Sequence, residues 1–481
     1  MTTSYSSPFS WRYGRPAMRA LFSEQTKRRM WRRLWLSLAR AQSKAGLVTE
    51  EEVADLRRFV DAVDIDAAHK IEAEIGHDLM AELRVYASQA RVGGGKLHLG
   101  ATSMDIEDNV EIARMKAAIV GRDMLAANIR GLIAELADKI EKYAALPCMA
   151  YTHLQAAEPS TFGFRMTLWA QDVASDLENL VRLAEWLPAK GLRGAVGTSA
   201  SYAALLKGTK TNPDDLEREV LSEFGLQAGA VSGQTYPRRL DYLVVSALAA
   251  FAASCAKLAF DFRILASSPF GELGEPFGRK QVGSSAMPFK RNPILCERID
   301  SIARIVGASV NVVWQNAADN LLERTLDDSA NRRTVIPESF LAADEICSLA
   351  RKVITGMRVD ERRVAQNLKS FGPFSATEAV LMAAAAKGAD RQELHETMRE
   401  ASMQAWESIE RGEENPLKAI IANNKRIREY LDEKQIDALM DPATHTGSAA
   451  QRARDFAKRL RALDDQGATT APYLTEMGIE A

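Results

Sequence analysis

Apolar side chains recur every three to four residues through most of the middle of the chain, the spacing of helices that bury one face. One such pattern follows Asp108, with Val110, Met115, Ile119, Leu125, Ile129, Leu132, Leu136 and Ile140 as its apolar positions, and stops before Pro147. Further patterns predict helices over about 162–187, 239–266, 294–322 and 339–357. Strand-like alternation is scarce. Helices this long pack side by side, so the pattern predicts an all-α fold with a long central bundle whose end connections carry the polar motifs. Residues 1–104 form shorter helices punctuated by Gly93-Gly94-Gly95, and residues 105–359 form the bundle. Residues 360–481 break again into short helices at Gly372-Pro373, Gly388, Pro416 and Pro442, which makes three helical domains.

Composition narrows the classes of function. A chain of 481 residues buries a large core, and 46% apolar content with a net charge of -2 describes a soluble protein and argues against a general nucleic-acid binder. Cys148, Cys255, Cys296 and Cys347 form no CxxC pair, so neither a zinc site nor a disulfide framework is expected, and a cytoplasmic location fits. The N-terminus lacks the apolar run of a secretory signal. The uncharged stretch Tyr242 to Ala256 is too short to span a bilayer and reads as a buried bundle helix, so no membrane partner is expected. Residues 11–33 mix arginines with Trp11, Tyr13, Phe22 and Trp31; they read as an amphipathic helix with a basic outer and aromatic inner face rather than an RNA surface. His69, His395 and His445 show no metal-ligand spacing, and neither metal nor cofactor is expected.

Four polar stretches carry candidate chemistry. Gly283 to Pro293, GSSAMPFKRNP, followed by Glu297, crowds hydroxyl, ammonium, amide and carboxylate groups into one turn-rich run suited to a carboxylate ligand, although Gly, Ser and Pro also compose ordinary loops. Tyr151 to Gln155 holds His153 just before a long helix; a lone histidine is more often structural than catalytic. Thr102 and Ser103 in HLGATSMDIEDN fall near a helix start, where free amides favour an anion and where the same residues serve as N-caps. LERTLDDSANRR, Leu322 to Arg333, is dense enough in charge to be simply a solvated helix face.

The order of residues changes the weighting. The 283–297 run resembles the mobile loop of the fumarase and aspartase superfamily, GSSxMPxKxNxxxxE, at every specified letter, and YTHLQAAEPSTFG resembles that superfamily's THxQxAxPxTxG. ERTLDDSANRR, the opening SSPFSWRYGRPAM and SGQTYPRRLD are narrower and resemble the adenylosuccinate lyase family. The resemblance runs from Ser6 to about Ala450. It implies a three-domain all-α fold and a homotetramer whose central helices form one core, with each active site built from three chains.

The implied reaction is elimination of fumarate from adenylosuccinate and from succinyl-aminoimidazole carboxamide ribotide, small-molecule purine nucleotide substrates. The resemblance makes Ser284 the base, His153 the general acid and Glu297 the residue that orients it. Lys290 and Asn292 hold the carboxylate and the extra charge of the aci-carboxylate intermediate. Thr102 and Ser103 bind a substrate carboxylate. Arg12, Tyr13, Arg324, Ser329 and Arg333 surround the nucleotide phosphate, Gln234 and Arg298 share the pocket, and His77, Asp78 and His98 complete it. One position departs from the family: Gly76 precedes His77-Asp78 where an arginine is common. Either Arg84 or another nearby cation compensates, or the pocket takes a different succinyl-amine. A catalytically silent structural relative is the rival from another class.

Overall fold

The computed structural model describes residues 5–278, 287 and 289–464. The predicted all-α bundle is present. Its long members are Ser103–Val120, Leu125–Lys142, Phe162–Trp186, Arg239–Ala266, Ile294–Ala318 and Ser329–Gly356. The stripe expected to run unbroken from Asp108 is two helices, because the chain turns at Gly121 and restarts at Leu125. The helix expected from about 339 begins ten residues earlier at Ser329 and carries Pro337 inside it.

Arg238 joins Asp108 to Asp328, and Asn128 meets Asp344 as Lys139 meets Thr355, so Ser103–Val120 and Leu125–Lys142 run with Ser329–Gly356 and Phe162–Trp186 returns beside them from the turn after Pro147. Arg239–Ala266, Ile294–Ala318 and Ser329–Gly356 alternate in direction, with Arg263 meeting Asp300 at one reversal and Asn316 meeting Asn331 at the next. The bundle therefore has two ends, separated by about 40 Å for helices of this length at 1.5 Å per residue. One end gathers the starts of Ser103–Val120, Arg239–Ala266 and Ser329–Gly356; the other gathers Pro147, Ala266 and Ile294.

Arg239–Ala266, the predicted helix, is 28 residues long and apolar enough by length and composition to cross a membrane. Its packing against Ile294–Ala318, Phe162–Trp186 and Ser329–Gly356 makes it a bundle helix. Only 44% of its most apolar stretch is buried within the chain. Phe260 on this helix and Ile305 and Trp314 on its neighbour are exposed.

The Glu24–Lys44 helix corrects one expectation. Trp31 and Trp35 do face inward, but so do Arg28 and Arg32, which are fully buried. Their partner is Glu82, which accepts from Arg28 Nη1 at 3.2 Å and also from Arg32 Nε. A basic outer face holds only for neighbours such as Arg29 and Arg33, because the helix must approach the acidic side of Asp78–Gln89. Beyond Val359, a second apolar cluster around Ala376, Val380, Leu417 and Ile436 packs separately. The Ala449–Asp464 helix returns to the main core through Ala453, Ala457 and Leu460.

Candidate active site

The site residues predicted from the sequence divide between the two bundle ends. At the first end His77 precedes the Asp78–Gln89 helix, and its Nε2 lies 3.2 Å from Ser103 Oγ, tying two helix starts together. Thr102 N-caps Ser103–Val120 in a capping box with Asp105, whose carboxylate accepts from the Thr102 amide at 3.0 Å. The same carboxylate takes the buried Lys190 ammonium, the Arg193 amide at 3.1 Å and the Tyr202 hydroxyl at 3.2 Å. Asp105 thereby fixes the turn carrying Thr102 and Ser103. The cap reading of the segment holds, and the anion-binding reading is compatible with it because a helix start leaves free amides beside the Ser103 hydroxyl.

His98 stands beside this turn with φ of 66°, a left-handed conformation that costs a non-glycine residue about 1–2 kcal/mol. Its Nδ1 accepts the Trp35 indole N–H at 3.0 Å. An indole only donates, so Nδ1 carries the lone pair and the proton of neutral His98 sits on Nε2. Burial first, then His77, lowers the ring to about 4 against the opposing pull of Asp105. His98 is therefore a hydrogen-bond donor at neutral pH. Trp35→Phe is expected to let the proton redistribute to Nδ1 and to lower kcat about fivefold, the worth of one hydrogen bond. Nitrogen-15 chemical shifts of His98 that match those of the unaltered protein would contradict this.

Arg333 Nη1 donates to Asp78 Oδ2 at 2.7 Å. Burial works against ionised Asp78, but Arg333 and then Lys27 hold its carboxyl below the usual carboxylate range. These groups line a cavity of about 240 Å³ with Ser329 and Glu107, walled by Phe22, Trp31 and Ile336. Arg84 is exposed, whereas Lys27 lies in the cavity wall, which makes Lys27 the better placed cation near Gly76. Gln234 is anchored nearby through its amide, which donates to the Glu323 carbonyl at 3.1 Å.

Part of the charged run 322–333 is spent on ion pairs within the chain. Arg324 Nη1 donates to Asp328 at 2.8 Å, and Arg332 Nε donates to Asp241 at 2.6 Å. Arg238, not singled out from the sequence, is fully buried between Asp328 and Asp108, with Nη1 3.1 Å from the latter. Burial alone would raise Asp328, yet Arg238, Arg324 and Arg332 hold it low. Arg324 is thus engaged within the chain, while Ser329 and Arg333 face the cavity. Arg238→Met leaves two buried carboxylates short of a cation and is expected to cost about 3–5 kcal/mol, read as a lowered denaturation midpoint.

At the second end the chain forms a feature the helical pattern hid. Pro147–Thr152 and Gln155–Thr161 pair as an antiparallel hairpin, and Thr152 opposite Gln155 closes a two-residue turn of His153 and Leu154. Their φ values of 52° and 60° are those of a type I′ turn, which ordinarily uses asparagine and glycine. His153 is exposed at its tip. The hairpin rests on the 267–275 segment through Tyr151 against Phe270 at 4.9 Å, and Arg165 of Phe162–Trp186 ties the two together by donating to the Met149 carbonyl and pairing with Glu272 at 2.8 Å. Glu275 then caps Ile294–Ala318 by accepting the Leu295 and Cys296 amides at 3.0 and 2.7 Å. Lys290, Asn292 and Glu297 flank that helix start, with Lys290 and Glu297 exposed. Among the described residues no hydrogen bond joins Glu297 to His153. Ser284 lies outside the described residues.

Arg12 and Tyr13 sit between the ends, where Ser7 Oγ donates to Glu338 at 2.7 Å and the Gly14 amide to Glu345 at 3.1 Å. The Arg12 guanidinium lies over the Trp11 and Tyr13 rings, each at 5.8 Å. Burial raises the Glu345 carboxyl above the usual carboxylate range, and the Gly14 amide and Arg298, on Ile294–Ala318, offset only part of this.

An all-helical bundle with polar clusters at both ends is a fold found among solved lyases and related enzymes. A fumarate lyase from Mesorhizobium sp. BNC1 superposes with a TM-score of 0.80 at 24% identity, over 95% of this chain and 99% of that one. The 3-carboxy-cis,cis-muconate lactonizing enzyme of Pseudomonas putida gives 0.82 at 23% identity, over 94% and 99%. A family profile described as "Lyase" matches residues 12–307, and one described as "Adenylosuccinate lyase C-terminus" matches residues 373–456. The adenylosuccinate lyases of Saccharomyces cerevisiae and Schizosaccharomyces pombe are each 37% identical over 462 residues, 95% of this chain and 94% of theirs. That of Archaeoglobus fulgidus is 34% identical over 447 residues, 92% of this chain and 96% of its own. The chain belongs to the adenylosuccinate lyase family.

Proposed function

We propose that this enzyme eliminates fumarate from adenylosuccinate, giving AMP, and from succinyl-aminoimidazole carboxamide ribotide in purine biosynthesis. Family membership over nearly the whole chain supports the reaction. The observation that carries the arrangement of the site is the separation of His153, Lys290 and Glu297 from His77, Ser103 and Arg333 by the length of the bundle. One chain cannot bring these groups to a single substrate. Antiparallel copies packed along the uncovered face of Arg239–Ala266 would, and we assign the assembly as a homotetramer with composite sites.

In that assembly Ser329 and Arg333 hold the phosphate, with Lys27 supplying the charge that Gly76 does not; Arg12, Tyr13, Gln234, Arg298 and Arg324 complete the nucleotide side. Arginine suits phosphate because its fork donates two parallel hydrogen bonds. Thr102 and Ser103 bind a succinyl carboxylate at the helix start, with His77 positioning the Ser103 hydroxyl and His98 donating from Nε2. Ser284 takes the carbon-bound proton, leaving an aci-carboxylate whose added charge Lys290 and Asn292 stabilise. His153, oriented by Glu297, protonates the departing nitrogen. No cofactor enters this chemistry, and the location is assigned as cytoplasmic.

Direct assay of fumarate release from both purine substrates tests the proposal. Release is expected from each. Silence on both, with release from another succinyl-amine, would establish the paralogue reading instead.

A further inference from the structure

The cavity lined by Ser329 and Arg333 holds five carboxyls, and Glu107 is the one among them without an ion-pair partner among the described residues. Glu107 stands one helical turn after Ser103, on the same side of the helix, and lines the cavity with Lys27, Asp78, Ser329 and Arg333. Every cation there is already engaged. Lys27 pairs with Glu24 at 3.0 Å, Arg114 with Glu111 at 2.9 Å, Arg332 with Asp241 at 2.6 Å and Arg333 with Asp78 at 2.7 Å. Glu107 makes no hydrogen bond or ion pair among the described residues. An ionised carboxylate in that position would face Asp78 and Asp108 with no cation paired to it, since those nearby are held by other acids, whereas the neutral acid is tolerated and has an O–H to give.

We propose that Glu107 is a further substrate-binding residue, donating its carboxylic O–H to an anionic oxygen of the phosphate held by Ser329 and Arg333. The proposal rests on the placement of phosphate given above. Burial, followed by Asp78 and Asp108, pushes the Glu107 carboxyl up to about 8, and Arg333 and Lys27 offset only part of this. The remaining charged groups facing it are Glu24 from Glu24–Lys44, Glu111 and Arg114 from its own helix, and Arg332 from Ser329–Gly356. Above pH 8 the carboxyl ionises, loses its donor and opposes the phosphate. A phosphate monoester is already dianionic from about pH 7, so it does not itself titrate in this window.

The test is calorimetric titration of AMP into the assembled enzyme at pH 7 and pH 9. For the unaltered protein the dissociation constant is expected to rise about tenfold between the two, the effect of one ionisation centred near 8. Glu107→Gln keeps an N–H donor and cannot ionise, so its AMP affinity should be flat across the range. Glu107→Ala should be flat as well but weaker at pH 7. Folding of Glu107→Gln is checked by thermal melting at pH 9. A carboxyl raised on folding costs stability as pH climbs from its ordinary value toward 8, so this variant should melt above the unaltered protein. If Arg333→Gln weakens AMP binding while Glu107→Gln retains the tenfold pH response, the Glu107 proposal fails alone. If Arg333→Gln binds AMP undiminished, the phosphate placement fails and the Glu107 proposal falls with it.

Discussion

Replacing Ser284 by alanine is expected to lower kcat by at least about a hundredfold while leaving KM nearly unchanged, the signature of a lost general base. A serine hydroxyl is a poor base in water, because its alkoxide is costly to form. It becomes competent only where a neighbouring cation and converging amides stabilise the anion, and Lys290 is placed in sequence to be that cation. Removing the hydroxyl deletes an interaction made in the transition state and scarcely touches the bound nucleotide, so the loss falls on turnover. Steady-state kinetics of the purified variant decide the matter. Turnover near that of the unaltered enzyme would remove Ser284 from the role.

Mixing two inactive chains is expected to restore activity if their defects lie at opposite ends of the bundle. His153→Ala disables the hairpin end, and a chain carrying both His77→Ala and Ser103→Ala disables the other. Each alone gives tetramers in which every site contains a defect. After dissociation and random reassociation of equal amounts, roughly a quarter of the sites would draw their hairpin end from one parent and their helix-start end from the other, and contain no defect. Recovery near that fraction is the expected result. Absence of recovery despite demonstrated subunit exchange would require both ends to reach one substrate within a single chain, which the bundle length opposes.

The long helices were legible because their apolar spacing is regular over many turns; Arg239–Ala266 was placed to the residue. What escaped has local causes. The hairpin carrying His153 lacks the Asn-Gly signal of its turn class, so it passed as a connection before a helix. Pro337 masked the first turns of Ser329–Gly356. Arg28, Arg32 and Arg238 look like surface residues by type, and only the acids brought to them by other helices make them internal. The site motifs were legible through resemblance, but their division between the ends was not. Glu107 carried no signal at all, since one glutamate in a charged helix is unremarkable until its neighbours are known.

The distance between the two ends also bears on how such a protein changes over generations. In the proposed site, the residues that recognise the nucleotide and those that move protons occupy separate packing neighbourhoods of one chain. A substitution such as glycine at position 76, or an acid at position 107, alters the first without disturbing the side chains around the second. In the proposed assembly, substrate preference and reaction chemistry can therefore drift independently, each constrained by the copy it would meet across the interface.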